Sequence, residues 1–295
     1  MPHLLYKEVY IIIVTYNGSI WIDKNIQSLL LSSYPVKIIV IDNNSTDDTL
    51  KLLKKYSTVD LIQLKKNFGF AKANNIGIRT ALDKGADYIF LLNQDAWIFE
   101  DTILNLIEVM KMSSKNGIVS PFHYAATKSE LDTSFKTYLS RSLIIDAQQK
   151  LYSTEFVNAA AWMLSRECIE KVGFFETMFG HYGEDRNYCD RVLYKGYTIL
   201  ITKEAEIVHD RQIIRSFSKD LIQSKYKILT TLINPNHNIL HAYLLGLKEV
   251  FGLPKYFSKF YNIGKIVYMV GELLTYYGDF IIKSRQVVKA RKRAL

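Results

Sequence analysis

Alternation of β-branched apolar runs with helical periodicity over the first 120 residues constrains this chain more than any other feature. Val9–Thr15 (VYIIIVT), 37–41 (KIIVI), 59–64 and Tyr88–Leu92 (YIFLL) read as strands. Near-continuous apolar runs of this length suit strands buried on both faces. Between them come Ile22, Ile26, Leu29 and Leu30 at helical spacing within 20–32, a helix over 47–56 led by Ser45-Thr46-Asp47-Asp48, and a helix over 70–82. A helix over 102–112 and a short strand over 117–120 extend the series. Such β-α-β-α order implies an α/β fold with a mainly parallel central sheet and right-handed crossovers.

Ligands of such sheets bind beyond the carboxyl ends of the strands. Polar clusters fall at those ends: Tyr16-Asn17, Asp42-Asn43-Asn44, Asn67 and Asn93-Gln94-Asp95. Turn chemistry explains any one of them; it explains four together less well. In the run 67–78, Gly69 permits an unusual backbone or a close ligand approach, and a helix opens whose N-terminus can face phosphate. No Walker loop is present and no GxGxxG follows the first strand, which argues against a P-loop NTPase and a nicotinamide dehydrogenase.

The second half is less regular. Residues 121–155 read as a loop-rich connection with a strand at Leu143–Asp146. Strands are expected at 156–164, 198–202 and 206–208, with helices at Arg166–Val172, ended by Gly173, and at 185–194. Three positions carry chemistry. Asp95 follows a buried strand, where a carboxylate can hold a hard divalent cation against a diphosphate, or simply cap a helix. Glu184-Asp185 suits proton transfer beside ligand orientation, or a helix start answering its dipole. His209 ends a strand and suits a ligand, a general base or a structural histidine.

Beyond Arg211 the pattern turns helical, with apolar stripes through 217–233, 240–251 and 260–281. The Asn234-Pro235 pair and the Gly252/Pro254 pair are read as helix ends. The net charge of +9 is concentrated here: 15 Lys/Arg against 4 Asp/Glu from Arg211 onward, a net of +11. The aromatic, basic tail fits a membrane interface, or an appendage packed on the body or on a second copy. Nucleic acid is not an expected partner, because the tail's aromatics sit at helical core spacing. Two cysteines exclude a disulfide framework and fit a reducing compartment. No signal-peptide core and no run of 18 uncharged apolar residues is read, so a cytoplasmic or peripheral membrane location is expected.

In order, Val14-Thr15-Tyr16-Asn17, the run from Val40 to Asp47, 67–78, Asn93-Gln94-Asp95, Gly183-Glu184-Asp185 and His209 resemble the family 2 inverting glycosyltransferases, in particular the bacterial rhamnosyltransferase-like sub-group. The resemblance covers about residues 9–212. It implies a GT-A fold: a catalytic domain over 1–212, with a nucleotide-sugar half (about 1–120) and an acceptor half (about 121–212), followed by a basic amphipathic helical extension over 213–295. It implies that Thr15, Tyr16, Asn17, Asp42, Asn67, Gly69, Asn74, Asn93 and Gln94 bind the donor, Asp42 by reading the base. Asp95, with His209, would hold Mg²⁺ or Mn²⁺. Asp185 would be the catalytic base and Glu184 would orient the acceptor.

Departures from the family pattern are Asn93 for the first Asp of its DxD, Asn187 for a further Asp, Ala159 for a Gly, and Phe175-Glu176-Thr177 for FDE. The implied reaction moves a sugar from dTDP-rhamnose or a UDP-hexose to a glycan or lipid-linked acceptor during surface polysaccharide synthesis. It would take place at the inner face of the cytoplasmic membrane, with the C-terminal helices on the membrane surface and a homo-oligomer compatible with the sequence. The alternative from another class is a non-catalytic nucleotide-sugar-binding or scaffold protein, to which Asn93 lends support.

Overall fold

The computed structural model describes residues 6–148, 150–211 and 215–294. The first apolar run forms β1 (Val9–Thr15), with Ile11, Ile12 and Ile13 wholly buried, as a strand covered on both faces requires. In chain order follow α1 (Ser19–Leu30), β2 (Lys37–Asp42), α2 (Thr49–Leu53), β3 (Val59–Gln63), α3 (Gly69–Asp83), β4 (Tyr88–Leu92), β5 (Ala96–Ile98) and α4 (Thr102–Lys111). The second half supplies β6 (Asn116–Tyr124), α5 (Thr133–Leu139), β7 (Leu143–Asp146), β8 (Leu151–Ser153), β9 (Ala161–Ser165), α6 (Arg166–Val172), α7 (Glu184–Tyr194) and β10 (Thr198–His209). Four helices close the chain: α8 (Phe217–Ile233), α9 (Ile239–Phe257), α10 (Ile263–Ile282) and α11 (Ser284–Ala294).

One sheet runs in the order β3-β2-β1-β4-β9-β6-β10-β8-β7, with β5 added on β10. The first four strands are parallel: β1 pairs with β2 and β4, and β2 with β3. The sheet as a whole is mixed. β9 runs antiparallel between β4 and β6, while β10 returns parallel to β6. Alternating residues of the strands feed two cores. Ile12, Ile41, Leu91 and Trp162 pack on one face with α3, α6 and α7. Ile11, Ile13 and Phe90 pack on the other with α1 and α4.

Several boundaries differ from the sequence expectation for identifiable reasons. The helix expected over 47–56 shrinks to α2, because the Asp47 carboxylate instead accepts the N–H groups of Thr49 and Ser19. Residues 156–160 do not pair; Val157 is apolar because it fills the core, and the strand begins at Ala161. The strands expected at 198–202 and 206–208 are one strand, β10, with an irregularity opposite Pro121 and Phe122. The 121–155 connection is more ordered than its composition suggests: β6 runs on to Tyr124, and Asp132 caps α5 by accepting from Phe135 N–H. Pro254 lies inside α9 rather than ending it. The last helix divides at Lys283 into α10 and α11.

The C-terminal helices form a third core through Leu229, Leu232, Val250, Met269 and Leu273, and Phe179 of the preceding body inserts into it. The C-terminal helices are thereby bolted to the preceding body. Asn234 donates to Asp190 on α7 at 2.9 Å, and Arg293 pairs with Glu176. Among the described residues no helix is long and apolar enough to cross a membrane. Cys168 and Cys189 are buried and free, and burial pushes the Cys168 thiol up to about 12.

Candidate active site

The polar ends of the first four strands largely hold one another. Asp42, buried at the end of β2, accepts from Thr15 Oγ1 at 3.2 Å and from Ser45 N–H at 3.1 Å. Asn17, at a left-handed φ of 49°, accepts from Thr46 N–H at 2.8 Å. Gln94 clasps the loop after β1 from both sides: its Oε1 accepts from Tyr16 N–H at 2.9 Å and its Nε2 donates to Tyr16 O at 3.3 Å. Gly18 leaves room for this clasp, since a Cβ there would lie 2.3 Å from Gln94 Oε1 and would displace the Gln94 side chain. Asn67 Oδ1 accepts from Asn43 Nδ2 and Gly69 N–H, both at 2.9 Å, while Asn43 Oδ1 accepts from Phe68 N–H. Asn74 is buried and donates to Phe70 O. Tyr16 is exposed beside these loops, and Asn93 and Asp95 are half-buried.

Sequence reasoning missed why Asp95 and His209 meet. The short strand β5 pairs antiparallel with the end of β10, with Ala96 opposite His209. That register brings His209 Nε2 to 3.4 Å from Asp95 Oδ1. The imidazole is almost wholly buried, and its Nδ1 has no partner among the described residues. Asp210 N–H bonds Asp95 O at 2.8 Å and Trp21 Nε1 donates to the Asp210 carboxylate, which fixes the corner. Among the described residues no group of three His, Cys, Asp or Glu side chains converges as a metal cage. An oxygen and a nitrogen donor side by side still fit a cation that completes its shell with substrate phosphate and water, as Mg²⁺-type sites do.

The second constellation is the start of α7. Tyr182 and Gly183 both take positive φ, 82° and 89°, so that the chain turns sharply into Glu184-Asp185. A non-glycine residue held there costs energy, and such strain persists only where packing enforces it. The enforcement comes from α8: Tyr226 OH accepts from Gly180 N–H at 2.9 Å, and Thr230 Oγ1 lies 3.5 Å from Gly183 O. A Cβ on Gly69 would come within 2.2 Å of Gly180 O, so Gly69 allows α3 to abut this same loop. Asn75 clasps Phe175 through both its N–H and its C=O, and buried Arg191 donates to Val172 O and Phe174 O, each at 2.7 Å. Asn187 stands where the resemblance implies a further Asp, and it accepts from Arg191 Nε instead.

Burial raises the proton affinity of both carboxyls. It pushes Glu184 up to about 8, with the Asp185 charge adding to it. Asp185 is raised by burial against the opposing pull of the Arg186 and Ala159 N–H groups and of the Arg211 guanidinium. Arg211 was not anticipated as a site residue. It follows His209 by two positions and is held by α5, donating to Ser134 Oγ at 3.0 Å. Asn93 N–H bonds Ala160 O at 2.9 Å, and Arg186 N–H donates to Asp185 Oδ1 at 2.7 Å.

Residues 10–173 match the family described as Glycosyl transferase family 2. The dTDP-rhamnosyl transferase RfbF of Shigella flexneri is 32% identical over 211 residues, 69% of this chain and 69% of that protein. The protein belongs to glycosyl transferase family 2. Its fold is the GT-A fold. The S. aureus TarS 1–349 complex with UDP-GlcNAc superposes with a TM-score of 0.62 at 14% identity, covering 92% of this chain and 81% of that one. The mannosyltransferase PcManGT of Pyrobaculum calidifontis, in complex with GDP-Man and Mn²⁺, gives 0.61 at 17% identity, covering 99% and 86%.

Proposed function

We propose that the protein transfers a sugar, with inversion, from dTDP-rhamnose or a UDP-hexose to a hydroxyl of a glycan or lipid-linked acceptor in surface polysaccharide synthesis. The observation that carries this reading is the pairing of β5 with β10, which sets Asp95 3.4 Å from His209 in a fold whose α7 opens on the adjacent carboxyls Glu184 and Asp185. The named activity of the Shigella relative supports the rhamnosyl donor.

Asp185 takes the proton of the acceptor hydroxyl as that oxygen attacks the anomeric carbon. The bond to the nucleoside diphosphate breaks on the opposite face, which inverts the centre. Burial makes Asp185 a stronger base than an exposed carboxylate, while Arg211 and backbone N–H groups keep its ionised form accessible. Glu184, nearly all of it buried and with Oε2 unpartnered, holds a proton near neutrality and can donate a hydrogen bond to an acceptor oxygen. Asp95 and His209 would hold Mg²⁺ or Mn²⁺, which when bound supplies positive charge for the leaving diphosphate. Asp42, Thr15 and Asn17 shape the base and ribose end, with the exposed Tyr16 ring beside them. A peripheral position at the inner face of the cytoplasmic membrane would place the enzyme beside a lipid-linked acceptor.

The reading is tested by a panel of nucleotide sugars in thermal shift with and without Mn²⁺, followed by transfer assays. Stabilisation by one dTDP- or UDP-sugar that increases with Mn²⁺ supports it. No stabilisation by any donor would return the protein to the scaffold class.

A further inference from the structure

We infer that the seam between α9 and α10 is a docking face for an anionic lipid bilayer, on which these helices lie flat. This deepens the membrane element of the proposed function but rests on surface geometry alone, independent of the donor chemistry.

Two apolar stripes remain uncovered after the third core is filled. On α9, Leu240, Leu244, Leu247 and Phe251 recur at i, i+4, i+7 and i+11, with Leu240 70% and Leu244 60% exposed. On α10, Ile263, Val267, Leu274 and Ile281 follow at i, i+4, i+11 and i+18, with Ile263 78% and Val267 63% exposed. The inward faces are separate sets: Ala242, Gly246 and Val250 on α9, and Met269, Leu273 and Tyr277 on α10.

The stripes border one seam. Tyr243 and Tyr277 meet across it, their ring centroids 6.2 Å apart, and Tyr277 OH donates to Tyr243 O at 2.8 Å. Leu247 lies one turn after Tyr243, and Ile281 one turn after Tyr277, so each stripe runs alongside the contact. The result is one apolar face two helices wide. It far exceeds the singly scattered apolar residues of an ordinary surface, and neither helix can cross a bilayer.

Charge selects the occupant. Lys248, Lys255, Lys259, Arg285 and Lys289 are exposed and have no carboxylate partner among the described residues. The acids of these helices are already used: Glu249 and Glu272 pair with Lys227 and Lys225, and Asp279 with Lys283. A second copy joined through a two-fold axis would set this cationic rim against itself, which like-charge repulsion opposes. Anionic headgroups answer the rim, and acyl chains answer the stripes.

The test is co-sedimentation of the full chain with phosphatidylcholine vesicles, with and without phosphatidylglycerol. Binding is expected to the phosphatidylglycerol vesicles, weakening as salt rises. Leu244→Glu with Val267→Glu should abolish it, and Lys255→Gln with Lys259→Gln should weaken it by roughly thirtyfold. All four positions are exposed, and donor-induced thermal stabilisation, expected to be unchanged in both variants, reports folding and the donor site separately. Wild-type protein that ignores phosphatidylglycerol vesicles overturns the inference, as does binding that survives the two glutamates. A dimer in sedimentation equilibrium that Val267→Glu dissociates would assign the face to a second copy instead.

Discussion

The loops that follow β1, β2 and β4 and the loop that leads into Glu184-Asp185 are held by opposite strategies. At the strand ends the fixing residues come from the neighbouring strand ends themselves: Gln94 clasps Tyr16, Asn67 clasps Asn43, and Asp42 holds Thr15 and Ser45. The loop into Glu184-Asp185 has little internal support. It is held by Asn75 of α3, by Arg191 of α7, and by Tyr226 and Thr230 of α8. A parallel sheet brings its own strand ends together, so short polar side chains can cross-link them at no cost in loop closure. A loop at positive φ needs packing from outside, and here distant helices provide it.

This contrast yields a graded set of tests. The largest effect belongs to Asp185→Asn, which should lower turnover by about 10² to 10⁴-fold while donor binding by thermal shift stays intact. Near-full turnover would remove Asp185 from the role of base. Asp95→Ala comes next: the Mn²⁺-dependent part of donor stabilisation should vanish, and a titration with and without the metal reads this directly. Unchanged metal dependence would place the cation elsewhere.

The contrast itself is sharpened by a matched pair of variants. Tyr226→Phe with Thr230→Val removes the α8 brace, each hydrogen bond contributing about 1 kcal/mol, so kcat should fall about tenfold or more with donor KM unchanged. Gln94→Ala should do the reverse, raising donor KM roughly fivefold and sparing kcat. If both variants move the same parameter, the two loops are one unit and the comparison fails.

The smallest effect is a pH trend. Burial holds the Glu184 pKa at about 8, above the ordinary carboxylate value, so the folded state keeps a proton that the unfolded chain releases. Its contribution to stability is full below about pH 4.5 and is lost as pH rises through about 8. Glu184→Gln keeps the neutral form throughout, so its melting temperature should exceed that of the wild type increasingly between about pH 6 and pH 9. Parallel melting curves would show that the carboxyl is ionised in the fold.

By itself the sequence determined the α/β order, because β-branched runs such as Val9–Thr15 suit only a buried strand, and helical spacing is equally local. It also placed Asp95, His209, Glu184 and Asp185 at the ends of regular elements, since each follows or opens a patterned run. The tail's division of labour lay beyond it. Periodicity could not separate packing on the body from lying on a membrane, and the structure gives α9 and α10 one buried face and one bare face each. Roles that depend on partners far along the chain were decided by tertiary structure alone. Asn187 bonds Arg191 rather than acting as an acid, Gln94 serves the backbone of Tyr16, and Arg211, just after β10, donates to Ser134 of α5. β5 was too short to carry a periodic signal, yet its pairing with β10 brings Asp95 to His209. Local pattern fixes which backbone hydrogen bonds form within an element; side-chain function depends on which elements the fold sets side by side.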